Sequence, residues 1–221
     1  MSTNLSSISY SSIPKPKTNQ QVFKVKIKSL HPTQMCIGLA EVLQRKQEFT
    51  QLSDNERLSY FRNKPIPLVS NLNDELWILD RHHRLRALIE INEELIAYGY
   101  IVSQINTKRV QDSLDYLANK GWLYLYDNRG VGPQSAQSLP LSLLGMKDDP
   151  YRSLVWKLKK ENLIFKNPSI PYHEYYWCKW LRRRPLPPFN SKNLAPALPV
   201  ARKLVCSSNA SHLAGWSARK N

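Results

Sequence analysis

The sequence predicts an α+β protein in which a small mixed sheet with helices is followed by a basic, mainly helical C-terminal part. Of the 221 residues, 42% are hydrophobic and 22% are charged, which suffices for one substantial core, or for one core with a smaller appendage. Segments with period-two and helical patterns alternate through residues 22–130. The basic excess lies at the ends, because residues 1–30, 31–150 and 151–221 carry net charges of +5, −2 and +12.

The N-terminal part predicts a tail and then a strand. Residues 1–21 are rich in Ser, Pro, Lys, Asn and Gln, so we expect a disordered, mobile tail. Phe23, Val25 and Ile27 then alternate with lysines, which is typical of a strand with one buried face. We expect His31-Pro32 to end this strand.

Two helices and a hairpin are predicted next. Apolar residues at helical spacing predict a helix over residues 38–49. Ser53 and Glu56 have the spacing of a capping box, which predicts the start of a second helix. The apolar runs 66–69 and 76–79 are separated by turn-forming Ser, Asn and Asp residues, which predicts a β-hairpin.

Three further elements complete a first domain over residues 22–130. A strand is predicted over residues 98–104 and a helix from Val110, with Gly121 as its C-terminal cap. The aromatic segment 122–126 is predicted as a strand or an extended segment.

The C-terminal third is predicted in two parts. Residues 131–184 form a helical extension of the same fold, with Asp149-Pro150 starting one helix and a second helix over residues 172–184. Five prolines between residues 185 and 199 favour an extended connection. We therefore expect residues 185–221 to form a Pro-rich basic tail.

The segment Asp80-Arg81-His82-His83-Arg84 lies between the run 76–79 and a helical stripe that begins at Leu85. Helix N-terminal N–H groups with imidazole and guanidinium donors beside them favour a phosphate ligand. Asp80 is a candidate to orient a histidine or to hold a hydrated Mg²⁺. The alternative is that Asp80 only caps the helix and the cations form a solvated surface. Adjacent histidines on a helix point in different directions, so we expect one to face the ligand and the other to pack.

The basic C-terminal part predicts a second contact surface. Arg182, Arg183 and Arg184 end the predicted helix 172–184 and are candidates to bind nucleic-acid phosphates, with tryptophans of the same helix stacking on unpaired bases. The alternative is that these tryptophans pack in the core.

Hydropathy and cysteine content indicate the compartment. No apolar run approaches the roughly 20 residues that span a bilayer, and the polar N-terminus lacks the apolar core of a signal peptide. Three widely spaced cysteines, Cys36, Cys178 and Cys206, have no metal-like spacing and cannot all pair. We expect a soluble, cytoplasmic protein that does not bind membranes.

Several separated motifs follow one another along residues 22–184. They are His31-Pro32-Thr33-Gln34, Gly38 with Glu41-Val42, Asp80-x-His82-His83-Arg84 with Ala87-Leu88, Gly121-Trp122, Tyr126-Asp127, Asp149-Pro150-Tyr151-Arg152-Ser153-Leu154 and Leu181-Arg182-Arg183. In this order the motifs resemble the ParB-like nuclease branch of the ParB–sulfiredoxin superfamily. The resemblance implies a ParB/sulfiredoxin-like fold and a turn that binds phosphates of a nucleotide or DNA.

The resemblance leaves several activities open, because the superfamily includes DNA-binding CTPases, nucleases, free-serine kinases and sulfiredoxins. Sulfiredoxin chemistry needs a cysteine in the phosphate turn, and this turn has none. The serine-kinase relatives carry Asp-Gly-His-His-Arg with a glutamate near the first helix as base. This chain has Arg81 where they have Gly, and Glu41 is the matching candidate base.

The predicted function is therefore that of a phosphate-binding protein that acts on a nucleotide of the ATP or CTP type, or on a nucleic-acid phosphodiester, with Mg²⁺. Residues Asp80–Arg84 would hold the phosphate, with Gln34 as a further contact. His82 or His83 would stabilise transition-state charge, and Glu41 would act as base. The alternatives are a non-enzymatic DNA-binding module and a small-molecule kinase of the serine type.

Overall fold

Seven strands and seven α-helices form the described part of the chain, which comprises residues 10–167, 170 and 172–217 of a computed structural model. The strands are β1 (Phe23–Lys26), β2 (Leu30–Pro32), β3 (Cys36–Ile37), β4 (Ile66–Ser70), β5 (Leu76–Ile78), β6 (Ile96–Gln104) and β7 (Lys147–Asp148). The helices are α1 (Leu39–Thr50), α2 (Asp54–Asn63), α3 (His82–Ile89), α4 (Val110–Asn119), α5 (Pro150–Lys160), α6 (His173–Arg182) and α7 (Leu198–Cys206). The predicted α+β class is confirmed.

Five of the strands form one mixed sheet in the order β1-β6-β4-β5-β2. The pairs β1–β6 and β4–β5 are antiparallel, whereas β4–β6 and β2–β5 are parallel. The β4–β5 pair confirms the predicted hairpin. In the edge strand β1, Val25 is buried while Lys24 and Lys26 are exposed, as the alternation predicts. Strands β3 and β7 form a separate parallel pair.

The first strand ends earlier than predicted. A 3₁₀ turn over Ile27–Ser29 follows β1, and His31-Pro32 belongs to β2 instead of ending β1. Because β1 and β2 lie at opposite edges of the sheet, the chain has to turn between them. The fully buried Ile27 side chain anchors this turn in the core.

The predicted helix ends are confirmed by their caps. The Ser53 hydroxyl accepts from the Glu56 N–H, and the Glu56 carboxylate accepts from the Ser53 N–H at 2.8 Å, which forms the capping box of α2. The Asp149 carboxylate accepts from the Tyr151 N–H at the start of α5. Gly121 follows α4 with φ +63°.

The aromatic segment 122–126 is extended, and its backbone joins no named strand. It makes one isolated bridge, between Tyr124 and Gln34. Of the two predicted alternatives, the extended segment is therefore correct.

The protein has two large apolar cores, one in the N-terminal part with the sheet and one in the helical C-terminal part. The first joins the sheet to α1, α2 and α3 through residues such as Leu30, Val42 and Leu85. The second joins α5, α6 and α7 and includes Trp177 and Trp180, so the interpretation of these tryptophans as core residues is confirmed.

The chain termini differ from the predicted mobile tails. Residues 10–21 run along the protein, because the Pro14 carbonyl accepts from the Tyr100 hydroxyl at 2.9 Å and Ile13 packs on a third apolar cluster. Residues 198–206 form α7, whose Ala201 and Val205 are fully buried. The sequence does not indicate these contacts, because residues 10–21 contain few apolar residues and residues 184–188 contain three prolines.

Residues 1–9 and 218–221 lie outside the described ranges. Within those ranges, none of the helices combines the length and apolar character needed to cross a membrane.

Candidate phosphate-binding site

The predicted strand-to-helix turn connects β5 to α3. Arg81 precedes the helix with φ +79°, in the left-handed region that costs a non-glycine residue about 1 kcal/mol or more. The Arg81 N–H donates to Oδ1 of Asp80 at 2.7 Å, which helps to hold this conformation. Glycine adopts this conformation without steric cost, so the sequence accepts strain at Arg81.

Both histidines of the turn are buried and bind backbone N–H groups. The Thr33 N–H donates to Nε2 of His82 at 3.2 Å, and the Gly38 N–H donates to Nε2 of His83 at 3.0 Å. Since a backbone N–H only donates, both Nε2 atoms are unprotonated. Burial lowers the pKa of His82 to about 3 and that of His83 to about 4, so both rings are neutral at pH 7. The two rings thus hold the segment between β2 and α1 against α3.

Donors for an anion remain at the start of α3. The N–H groups of His82, His83 and Arg84 have no acceptor within the described ranges, and the turn exposes the positive end of the helix dipole. The Arg84 guanidinium lies 5.7 Å from the Tyr60 ring, and its Nη1 is buried without a hydrogen bond. Burial and the positive charges of Arg81 and Arg45 lower the pKa of Arg84. No carboxylate of the described residues forms an ion pair with Arg84, and the Asp80 carboxylate only partly offsets its charge.

Glu41 lies in a chain of buried charges instead of facing a free acceptor. Its carboxylate is 3.5 Å from Nη2 of Arg152, 3.8 Å from Nη2 of Arg45 and 3.9 Å from Nε2 of His83. Burial raises the pKa of Glu41, but these neighbours outweigh burial and leave the pKa below its usual range. Of these neighbours Arg152 and Arg45 carry the positive charge at pH 7. Glu41 is thus held between two arginine contacts, and its role as base stays a prediction.

Gln34 and Asp80 have local partners. The Gln34 amide donates to the Cys36 carbonyl at 3.2 Å, which closes a tight local turn. The Asp80 side chain is exposed and accepts from Arg81. Among the residues that the structure describes, no group of three His, Cys, Asp or Glu side chains could hold a metal ion. One exposed carboxylate beside an arginine does not fit a resident Mg²⁺ site.

The three arginines of the predicted nucleic-acid cluster have different environments. Nη2 of Arg182 donates to both oxygens of the buried Asp149 carboxylate, at 2.8 and 2.9 Å. Arg184 lies over the Trp180 ring at 4.4 Å. Arg183 is exposed, with no ion pair to any described residue. Arg182 therefore ties α6 to the start of α5, and Arg183 is the freest cation of the three.

Sequence reasoning missed a polar network that fixes α1 beside α5. The Leu39 N–H donates to the Asp148 carboxylate at 2.9 Å, and the Ala40 N–H donates to the Ser153 hydroxyl at 3.1 Å. A Cβ on Gly38 would lie 2.7 Å from the Ser153 backbone nitrogen, so only glycine fits there. Asp148 and Ser153 lie on either side of the predicted helix start at Asp149-Pro150. Their position beside that helix start was the sequence feature that could have indicated the network.

The comparisons with known proteins identify the family. Residues 23–183 match the family model described as "Putative ParB-like nuclease". The chain belongs to this ParB-like nuclease family. A solved structure, described as the crystal structure of protein Atu1540 from Agrobacterium tumefaciens, is similar with a TM-score of 0.78 and 26% identity, over 90% of this chain and 100% of that chain. No curated protein matches the sequence.

Family membership confirms the resemblance drawn from the motifs and supports a nucleic-acid-related function at the level of the ParB-like nuclease family. The matched range includes the turn Asp80–Arg84 and ends at residue 183. Residues 10–21 and α7 therefore lie outside the part that the family model describes.

Proposed function

We propose that this protein binds a phosphate group of a nucleotide or nucleic acid at the start of α3. The observation that carries the proposal is the Arg84 guanidinium, whose buried Nη1 has no hydrogen bond, on a helix whose first N–H groups have no described acceptor. Backbone N–H groups at a helix start and a guanidinium are the donors that phosphate oxygens bind best.

The residues of the turn take different roles in this proposal. Arg84 and the α3 N–H groups bind the phosphate, and the partly exposed Arg81 side chain adds a second cation. His82 and His83 are positioning residues, because each neutral ring already accepts a backbone N–H. Asp80 holds the Arg81 backbone in its left-handed conformation.

Binding is better supported than hydrolysis. The Glu41 carboxylate contacts Arg152 and Arg45, and the side chains around Asp80 do not fit a resident Mg²⁺. We therefore propose a phosphate-binding function that requires no Mg²⁺, with phosphodiester cleavage as a separate property to be measured.

The test compares Arg84→Ala with Arg62→Ala, an exposed change of the same charge in α2. Affinities for a single-stranded oligonucleotide, ATP and CTP are measured in EDTA at ~50 mM salt, where phosphate contacts contribute most. We expect Arg84→Ala to weaken binding of at least one of these by about 10-fold or more, and Arg62→Ala to change it by less than about 3-fold. Equal effects of the two variants, or no binding by the wild type, would overturn the proposal.

The same samples with Mg²⁺ test for chemistry. Strand cleavage or nucleotide hydrolysis that Arg84→Ala abolishes would make the site catalytic. Binding without either reaction would favour the non-enzymatic alternative.

A further inference from the structure

A cluster of tyrosines lies beside the turn. We define the tyrosine cluster as Tyr10, Tyr124, Tyr126, Tyr172 and Tyr175. The Tyr124 and Tyr175 rings are stacked at 3.8 Å between centroids. Tyr172 and Tyr126 lie on two sides of Tyr124, at 5.5 and 5.3 Å. Tyr124 and Tyr175 are buried together with Cys36, and Tyr10, Tyr126 and Tyr172 are partly exposed rings packed against them. The partly exposed rings are of the kind on which unpaired bases stack.

One end of the tyrosine cluster borders the proposed phosphate site. Tyr172 neighbours Thr33 and Asp80, both of which act on the pKa of its phenol. The Thr33 N–H in turn donates to His82, in the first turn of α3. This end of the cluster is therefore linked through Thr33 to the His82 side chain at the start of α3.

The other end borders a second group of cations. The Lys179 ammonium lies 5.9 Å from the Tyr126 ring centroid. Lys179 and Arg183 line a cavity of about 110 Å³ together with Tyr124 and the carboxylates of Asp127 and Asp149. Neither cation forms an ion pair with another described residue, and the Asp149 carboxylate is bonded to Arg182. Two cations that could meet a backbone phosphate therefore lie at this end of the cluster.

Tyr10 reaches this position from the N-terminal segment. Its ring contacts Tyr172 edge-on at 4.9 Å and lies 6.3 Å from Tyr124. The Tyr10 phenol forms no hydrogen bond to a described residue, so ring contacts alone hold it. The segment passes the turn, because Pro14 is bonded to Tyr100, whose phenol lies near Arg81 and Asp80. Tyr10 is thus a ring that another ring could replace without loss of a hydrogen bond.

We propose that the tyrosine cluster is a stacking subsite for an unpaired base of a single-stranded nucleic acid, and that Tyr10 occupies this subsite in the free protein. The inference rests on the proposed phosphate site and adds the substrate class. A duplex does not fit, because its bases are stacked on each other and unavailable to tyrosine rings. Binding of the strand displaces Tyr10, so the measured affinity is reduced by the fraction of molecules in which Tyr10 covers the subsite.

The test uses Tyr10→Ala, with Tyr10→Phe as the matched control that keeps the ring. Fluorescence anisotropy measures binding of a labelled 12-nucleotide single strand, the corresponding duplex, and ATP. We expect Tyr10→Ala to raise single-strand affinity about 3- to 10-fold and to leave duplex affinity unchanged, and Tyr10→Phe to behave as the wild type. Unchanged or weaker single-strand binding by Tyr10→Ala, or an equal gain for the duplex, would overturn the inference. A gain for ATP without one for the single strand would overturn the assignment of the substrate class.

A second measurement does not depend on a variant. Displacement of Tyr10 should loosen the adjoining chain, so the single strand should accelerate tryptic cleavage of the Lys17–Thr18 bond in the wild type. Unchanged or slower cleavage would contradict displacement. The Arg84→Ala comparison separates the two proposals: if Arg84→Ala weakens binding while the Tyr10 variants have no effect, the phosphate site stands and only the stacking subsite fails.

Discussion

His82 and His83 show that a polar residue in a ligand-binding turn can serve the scaffold. Each ring is buried, each accepts a backbone N–H from the segment between β2 and α1, and neither carries charge at pH 7. From the sequence the two histidines resemble cationic phosphate ligands, because the sequence gives the residue types but not the groups to which their rings bond. The charge available for a phosphate comes instead from Arg81 and Arg84.

The histidine pair makes stability depend on pH. The folded-state pKa values of about 4 and about 3 lie below the unfolded value near 6.5, so between these limits the unfolded chain binds protons that the folded chain does not. Stability is therefore complete above pH 6.5 and falls as the pH is lowered toward 4. Between pH 6 and 5 we expect a loss approaching about 1.4 kcal/mol per pH unit for each histidine, measured by urea unfolding.

His83→Gln is the control for this prediction. The glutamine oxygen can accept from the Gly38 N–H but does not titrate, so the variant should lose about half of the slope between pH 6 and 5. An unchanged slope would show that His83 is not buried as a neutral ring.

At the scale of elements, the junction of α5 and α6 depends on one ion pair. The Asp149 carboxylate is buried, caps α5 and accepts two contacts from Arg182, the last residue of α6. Burial raises the pKa of Asp149, and Arg182 opposes that effect. The position of Arg182 in a run of three arginines hides this role, because its partner lies 33 residues away.

Removal of Arg182 should destabilise the protein, because it leaves a buried carboxylate without its partner. We expect Arg182→Ala to lower the free energy of unfolding by about 3 kcal/mol or more. The neighbouring Arg183→Ala removes the same charge from an exposed position and should change stability by less than about 0.5 kcal/mol. Chemical unfolding at pH 7.5 measures the stability of both variants. Similar losses of stability in the two variants would refute the structural role of the Arg182–Asp149 ion pair.

At the scale of the whole molecule, local patterns predicted the fold better than the site. Periodicity and capping residues located β1, α1, α2, the β4–β5 hairpin and α5, since these signals lie within one element. The contacts of α7 and Tyr10 join segments far apart in the chain, and no local pattern reports such contacts. The same limit applies to Arg152, whose buried charge meets Glu41 more than 100 residues away.

The net charge of +15 does not report which cations are free to meet a nucleic acid. Several C-terminal cations are bound to carboxylates of the protein: Arg202 and Lys157 contact Glu161, and Lys159 contacts Glu174. Lys179 and Arg183 have no such partner among the described residues. Nucleic-acid affinity should therefore depend on where the unpaired cations lie and not on the net charge of the protein.

The dependence of affinity on salt tests this distinction. Each cation that meets a phosphate of a single strand contributes about 0.7 to the slope of log K against log salt concentration. We expect the double variant Lys179→Ala, Arg183→Ala to reduce the slope for a single-stranded oligonucleotide by about 1.4. Arg202→Ala is the control: its guanidinium binds Glu161 at 2.8 Å, so we expect it to leave the slope nearly unchanged. If all basic residues reduced the slope equally, binding would follow the net charge, and the surface beside the tyrosine cluster would have no special role.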